Sequence, residues 1–311
     1  MRPTASEGHG MRRHRRGFTL IEMIVGMVVL GLLAMVMVPL VQMPATAYME
    51  ARNRTELQSQ ADLVRGKLED DLRTAIPGSL RSVAAGGVVY FEFLQAKAWG
   101  RYRRVNGGPS TCPAAADQAG LATMTPETCF TTIGDLSPAG VGLVPNVDRI
   151  VIDTMEAAGP YTTVAGQDRK ATISAYTTAQ ASPVIRQINI AQRTFPASTL
   201  AATSKPWPIN RFYVIQQAVS YVCNPATGTL TRRWGYAIQT TQPTAFGNAA
   251  AAILSDRVSS CVSPPLTAWQ TPVQGSRGQV LSADIELSRA VAGLQLESQR
   301  IWLQVPVMEQ Q

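Results

Sequence analysis

Histidine is nearly absent. His9 and His14 are the only two in 311 residues, and everything after residue 14 lacks an imidazole. That argues against a Ser-His-Asp or Cys-His catalytic site, a His-bound zinc or a histidine proton relay in the body of the chain. Cysteine is sparse as well, at four, and no CxxC spacing supports a zinc site. There is no GxGxxG or Walker loop, so no cofactor is expected, and with no nucleophile motif the chain reads as a non-enzyme. Charge is scarce too: 16% of residues are charged against 45% apolar, which excludes a wholly disordered chain. The net charge of +7 is largely local, since Arg2, Arg12, Arg13, Arg15 and Arg16 against Glu7 place +4 in the first sixteen residues and leave +3 for the rest. Such a weak field gives no reason to expect a nucleic-acid partner.

One long apolar run is present. From Met23 to Val41 no side chain carries a charge or an amide. As a helix this run is about 28 Å long, against a hydrocarbon core of about 30 Å, so it can span a bilayer. The positive-inside rule places Arg12 to Arg16 in the cytoplasm and the C-terminal mass on the other side. A cleaved secretory signal is the rival, with Ala45-Thr46-Ala47 as a small-residue site, but the run is longer than the 7 to 15 residues such signals use. Glu22 also argues against it. A carboxylate at mid-membrane costs about 2.5–3.5 kcal/mol, less near an interface, and such residues are functional by default.

Arg16-Gly17-Phe18-Thr19-Leu20-Ile21-Glu22, followed by the apolar run, resembles the prepilin cleavage and methylation motif of type IV pilins and type II secretion pseudopilins. The resemblance implies that a membrane peptidase and methyltransferase cuts after Gly17 and methylates the new amino terminus, Phe18. It also implies that Glu22 of one subunit pairs with the Phe18 amine of its neighbour and sets register in a filament. Two charges 4 Å apart interact by about 4 kcal/mol at an effective dielectric near 20, enough to offset much of their desolvation. Pro39 stands where these pilins commonly carry a helix-kinking proline; lacking an N–H, it is expected to bend or locally open the helix.

Past the membrane run, Leu57, Ala61, Val64, Leu68 and Leu72 fall within a sector of about 80° at 100° per residue, one apolar stripe that a single globular body can cover. Pro77-Gly78 is read as the end of this helix. The pattern then changes to period two. Strands are expected over Gly87–Leu94, Val147–Ile152, Val184–Ile190, Arg211–Gln216, Ala218–Cys223, Leu230–Ile238, around Leu281–Leu287 and over Ile301–Val305, forming one or two antiparallel sheets against the helix. Residues 106–146 and 239–278 read as long loops. The four cysteines lie on the side expected to face an oxidising periplasm, where disulfides persist. Of three possible connectivities, Cys112–Cys129 and Cys223–Cys261 are expected, because each close pair brackets a loop-like segment. Each could stabilise by roughly 3–4 kcal/mol.

Arg211–Ile215, Val219–Cys223, Leu230–Arg233 and Leu254–Val258 before Cys261 form a succession similar to the larger minor pilins of the PilW and MshO type, the latter from mannose-sensitive haemagglutinin pilus biogenesis. The combined expectation is an α+β, type IV pilin-like fold. Residues 1–17 form a cytoplasmic leader and 18–76 a helix, with a membrane-spanning assembly half over 18–42 and an amphipathic half over 43–76. Residues 77–311 form a β-rich body with long disulfide-closed loops. The resemblance implies as partners a prepilin peptidase, other pilins, a pilus assembly platform and the inner membrane, with final placement on a surface pilus. A type II secretion pseudopilin and a pilus-borne adhesin or DNA-uptake receptor stand as alternatives. Two weaker signals complete the reading. Arg101, Arg103 and Arg104 around Tyr102 could touch an anionic polymer or simply be solvated. Asp148, Asp153, Glu156 and Asp168 could offer oxygen ligands, but no EF-hand spacing is present and no metal site is assigned.

Overall fold

The computed structural model describes residues 19–105, 119–156, 159–181, 184–197, 210–261, 278–289 and 297–308. The chain divides into two compact units, residues 1–53 and 54–311. A single helix, α1 (Leu20–Arg73), supplies the described part of the first unit and the opening element of the second.

In the first unit the helix is uncharged from Met23 to Met49, and over Leu20–Val38 its large apolar side chains are exposed: Leu20 is 80% exposed and Met35 77%. Over Leu20–Val38 no side chain is buried. The run is long and apolar enough to cross a membrane. The helix continues through Pro39.

Among the described residues the second unit contains, besides the end of α1, fourteen strands. β1 (Arg81–Ala85), β2 (Val88–Arg101), β5 (Pro126–Thr131), β6 (Arg149–Ile152), β7 (Lys170–Ala181), β8 (Val184–Thr194) and β9 (Arg211–Asn224) form the main sheet in the order β1-β2-β9-β6-β7-β8-β5. β10 (Thr229–Trp234) and β11 (Ala250–Ser255) extend it from the far half of β9. One edge of β9 therefore serves two neighbours: β6 pairs with Phe212–Ile215, and β10 with Val219–Asn224. A second sheet has the order β12-β13-β14, from β12 (Val258–Ser260), β13 (Gly278–Arg289) and β14 (Glu297–Met308). The short β3 (Arg104–Val105) and β4 (Leu121–Ala122) pair in parallel, whereas the other strand pairs among the described residues are antiparallel.

The apolar stripe of α1 explains the packing. Leu57, Ala61, Val64, Leu68 and Leu72 are all buried, in one cluster with Phe91, Phe93, Val219 and Tyr221 of the main sheet and Leu281, Ile285, Leu287 and Leu303 of the three-stranded sheet. Full burial of each large aliphatic stabilises by roughly 1.5–3 kcal/mol. A second core lies around Tyr102, Phe130, Ile150, Ile173, Ile188 and Phe212. There Gly100 is obligatory in size: a Cβ would sit 2.6 Å from the Phe212 ring. A third cluster gathers Ile76, Leu94, Val151, Tyr161, Tyr213 and Ile215.

Several expectations need correction. The helix ends at Arg73, not at residue 76, because the next residues are captured by a strand: Ile76 N–H donates to Leu94 O at 2.8 Å, and Ala75 bridges Gln95. The segments read as loops contain β4 and β5 in 106–146 and β11 and β12 in 239–278, strands of two to six residues, too short to show a pattern. β7 was not anticipated either; its sequence KATISAYTTAQA offers few large apolar residues in alternation. The two strands expected over 211–216 and 218–223 are one, β9, with a register irregularity opposite Gln95–Ala98 marking the expected break.

The structure joins Cys223 of β9 to Cys261, which follows β12, with Cα atoms 6.2 Å apart. Both are buried in the helix-side core. For the expected Cys112–Cys129 pair, Cys129 is buried in β5 and held in a disulfide, while Cys112 lies outside the described residues.

Candidate functional site

The expected processing residues Gly17 and Phe18 lie outside the described residues, as does the rest of the leader. Immediately after them, Thr19 precedes the helix, and its hydroxyl accepts a hydrogen bond from the Glu22 N–H at 3.3 Å. Its carbonyl accepts from the Met23 N–H at 3.2 Å. Thr19 is thus the N-cap, and it satisfies one of the donors that a helix start leaves orphaned. Glu22 stands in the first turn, where a carboxylate faces the positive end of the helix dipole. Its side chain is exposed, and it is the only carboxylate on α1 before Glu50.

The physical content of this site is a carboxylate with no charged partner among the described residues, at one end of an oily cylinder. Water is a poor solvent for the surface below it, so that surface must be covered by lipid or by other apolar helices. Either cover leaves a carboxylate near its edge needing a cation. Pro39, the fourth expected site residue, is part of α1.

At the other end of α1 the structure reveals a charged contact that sequence reading missed. Asp71 is 3% exposed. Its carboxylate accepts hydrogen bonds from the Arg232 Nε of β10, from the Tyr221 hydroxyl of β9 at 2.8 Å and from Lys67 Nζ at 2.8 Å. Burial works against its ionisation, but the hydrogen bonds from Arg232, Lys67 and Tyr221 prevail and hold the carboxyl below its ordinary value. Burial together with the Asp71 charge pushes the Tyr221 phenol up. The signal was present in the sequence. An acid in the last turn is disfavoured by the helix dipole, and Asp71 lies about 20° beyond Val64 at the margin of the apolar stripe.

A test follows from the sign of that shift. A depressed carboxyl contributes stability that is complete above the usual aspartate value of about 3.9 and fades as the pH falls below it. Asp71→Asn should therefore destabilise the body at pH 7 by about 3 kcal/mol, because it strands the buried Arg232 charge. The gap between variant and parent should narrow in acid, where the parent loses the same charge. Urea unfolding at pH 7 and pH 2 measures both, and an undiminished gap at pH 2 would show that the hydrogen-bond geometry matters rather than the charge.

The weaker sequence signals resolve differently. Tyr102 is in the second core, and Arg104 turns inward to Asp153 at 2.7 Å and to the Tyr102 hydroxyl at 3.1 Å, leaving Arg101 and Arg103 exposed. The four residues do not make one basic and aromatic surface. Each acid considered as an oxygen ligand faces a cation: Asp148 faces Lys97, Asp153 faces Arg104 and Arg169, Glu156 faces Arg169, and Asp168 faces Lys170 and Arg193.

Compared with known families, the chain matches the prokaryotic N-terminal methylation motif over residues 12–38. No curated protein and no solved structure matches it.

Proposed function

We propose that this chain, whose N-methylation motif marks it as a type IV pilin-like or pseudopilin protein, is a minor pilin of the PilW and MshO type serving an MSHA-like pilus. It is an assembly subunit and not an enzyme. A prepilin peptidase removes residues 1–17, Phe18 becomes the methylated amino terminus, and the apolar half of α1 holds the chain in the inner membrane with its body in the periplasm. The helix then passes from lipid into a filament, where one apolar cover replaces another.

The observation that carries this reading is Glu22: one exposed carboxylate at the head of an otherwise uncharged helix surface, directly after the motif. A cation at matching depth is what such a group requires, and the Phe18 amine of an adjacent subunit supplies it. The size of the body adds a placement. With residues 54–311 in one compact unit, the subunit is bulky for a closely repeating shaft. We therefore assign it to initiation or capping of the filament, in low copy.

Gold labelling of an epitope on the body should mark one end of sheared filaments. Labelling at regular intervals along the shaft would overturn the capping role. If deletion of the chain stops secretion of folded proteins and leaves surface pili intact, the pseudopilin reading replaces this one.

A further inference from the structure

Strands β6, β7 and β8 carry a polar hollow on one face of the main sheet. Register places Arg149 opposite Thr172 and Val151 opposite Lys170. Ile150, Ala171, Ile173 and Ile190 point into the second core, so alternation turns Arg149, Lys170 and Thr172 to the other face. These three, with Arg193, Asp168 and Thr163, line a hollow of about 220 Å³.

Its charges do not balance. Three cations, Arg149, Lys170 and Arg193, share one carboxylate, Asp168, which sits 2.9 Å from Lys170 Nζ and 2.8 Å from Arg193 Nη2. Lys170 spends its other donors on the carbonyls of Pro160 and Thr162, so it contributes charge and no free N–H. The arginines differ. The side chain of Arg149 is exposed and has no hydrogen bond or ion pair among the described residues, and the Nε of Arg193 is buried without an acceptor. A buried donor left unmatched in a native fold calls for a missing partner. A water or an anion satisfies such a donor, and the surplus positive charge of the hollow favours the anion.

We propose that this hollow is a binding site for a tetrahedral oxyanion, a phosphate or sulfate, either free or carried on a carbohydrate. Its volume lies below the roughly 300–1,000 Å³ of sites that enclose drug-sized molecules, which suits a single charged group and not a whole ligand. Arginine is the appropriate donor, because its planar fork matches such oxygens in pairs. The site lies on the body and does not depend on how the N-terminal helix is processed or assembled.

The full-length chain in detergent is titrated with inorganic phosphate, and separately with a sulfated oligosaccharide, at ionic strength held constant with sodium chloride. Saturable binding is expected. Arg149→Gln, at an exposed position that should not disturb folding, should weaken it by roughly tenfold, as loss of one charge-assisted hydrogen bond implies. Arg101→Gln removes an exposed arginine elsewhere and should leave affinity unchanged. Binding of phosphate alone identifies a free ion as the ligand, and binding of both identifies the group on a polymer. No saturable binding of either probe, or an equal loss in the two variants, overturns the proposal.

Discussion

Gly17→Ala should leave the chain uncut, with residues 1–17 still attached and no methylated amine at Phe18. The reason is steric and local. A protease that cuts after glycine can bring its catalytic groups against a backbone that has no Cβ, and an alanine places a methyl group beside the scissile carbonyl. The consequence is electrostatic and large. The uncut chain keeps Arg12, Arg13, Arg15 and Arg16 next to the membrane run. Each arginine drawn to the bilayer centre costs about 2.5–3.5 kcal/mol, so the retained head pins the helix in the membrane with its basic end on the cytoplasmic side. It also leaves the Phe18 nitrogen in a peptide bond, with no positive charge to offer Glu22. Mass spectrometry of the N-terminal peptide from membranes reads the outcome directly: a terminus at methylated Phe18 in the parent and an intact leader in the variant. A normal Phe18 terminus in the variant would remove the processing step from the proposal.

The two halves of α1 show what was legible in the sequence. The stripe from Leu57 to Leu72 could be read because burial on one side of a helix repeats every three or four residues, and all five positions are in the core. The apolar run before it could be read because its composition is extreme. The strands were harder. β2 and β9 carry enough alternating bulk to be seen, whereas β7 and β11 are built largely from Ala, Thr and Ser and depend on neighbours for their order. Long-range pairing decides such strands, and a local window does not contain it. Asp71 illustrates the same limit in the candidate site. Its position at the helix end is visible, but its partners Tyr221 and Arg232 lie 150 and 161 residues away. The pairing in the β6–β7–β8 hollow is likewise a product of register: Arg149, Lys170 and Arg193 are scattered in sequence and meet only because their strands are adjacent in the sheet.

Glu22→Val should leave membrane insertion and the folded body intact while abolishing entry into filaments. Two roles for this carboxylate compete, and their magnitudes separate them. As a first-turn acid facing the helix dipole, Glu22 contributes about 0.3–1 kcal/mol, similar to the roughly 1 kcal/mol of the Thr19 cap beside it. As the partner of a neighbouring amine its loss would leave that amine's charge uncompensated in an apolar contact, which costs about 3–5 kcal/mol, a factor on the order of 10³ in the equilibrium for docking a subunit. Thr19→Ala is therefore the informative control, because it removes the cap and spares the charge. If the dipole were all that mattered, the two variants would reduce incorporation to the same small extent. If the intersubunit pair sets register, Thr19→Ala filaments should contain nearly normal amounts of the subunit and Glu22→Val filaments almost none, as measured by immunoblotting of sheared pili against the membrane pool. Glu22→Gln sharpens the comparison, since it keeps the side chain's length and hydrogen-bonding oxygen and removes only the charge. Near-normal incorporation of Glu22→Gln would mean that polarity suffices and that the register is fixed elsewhere along α1.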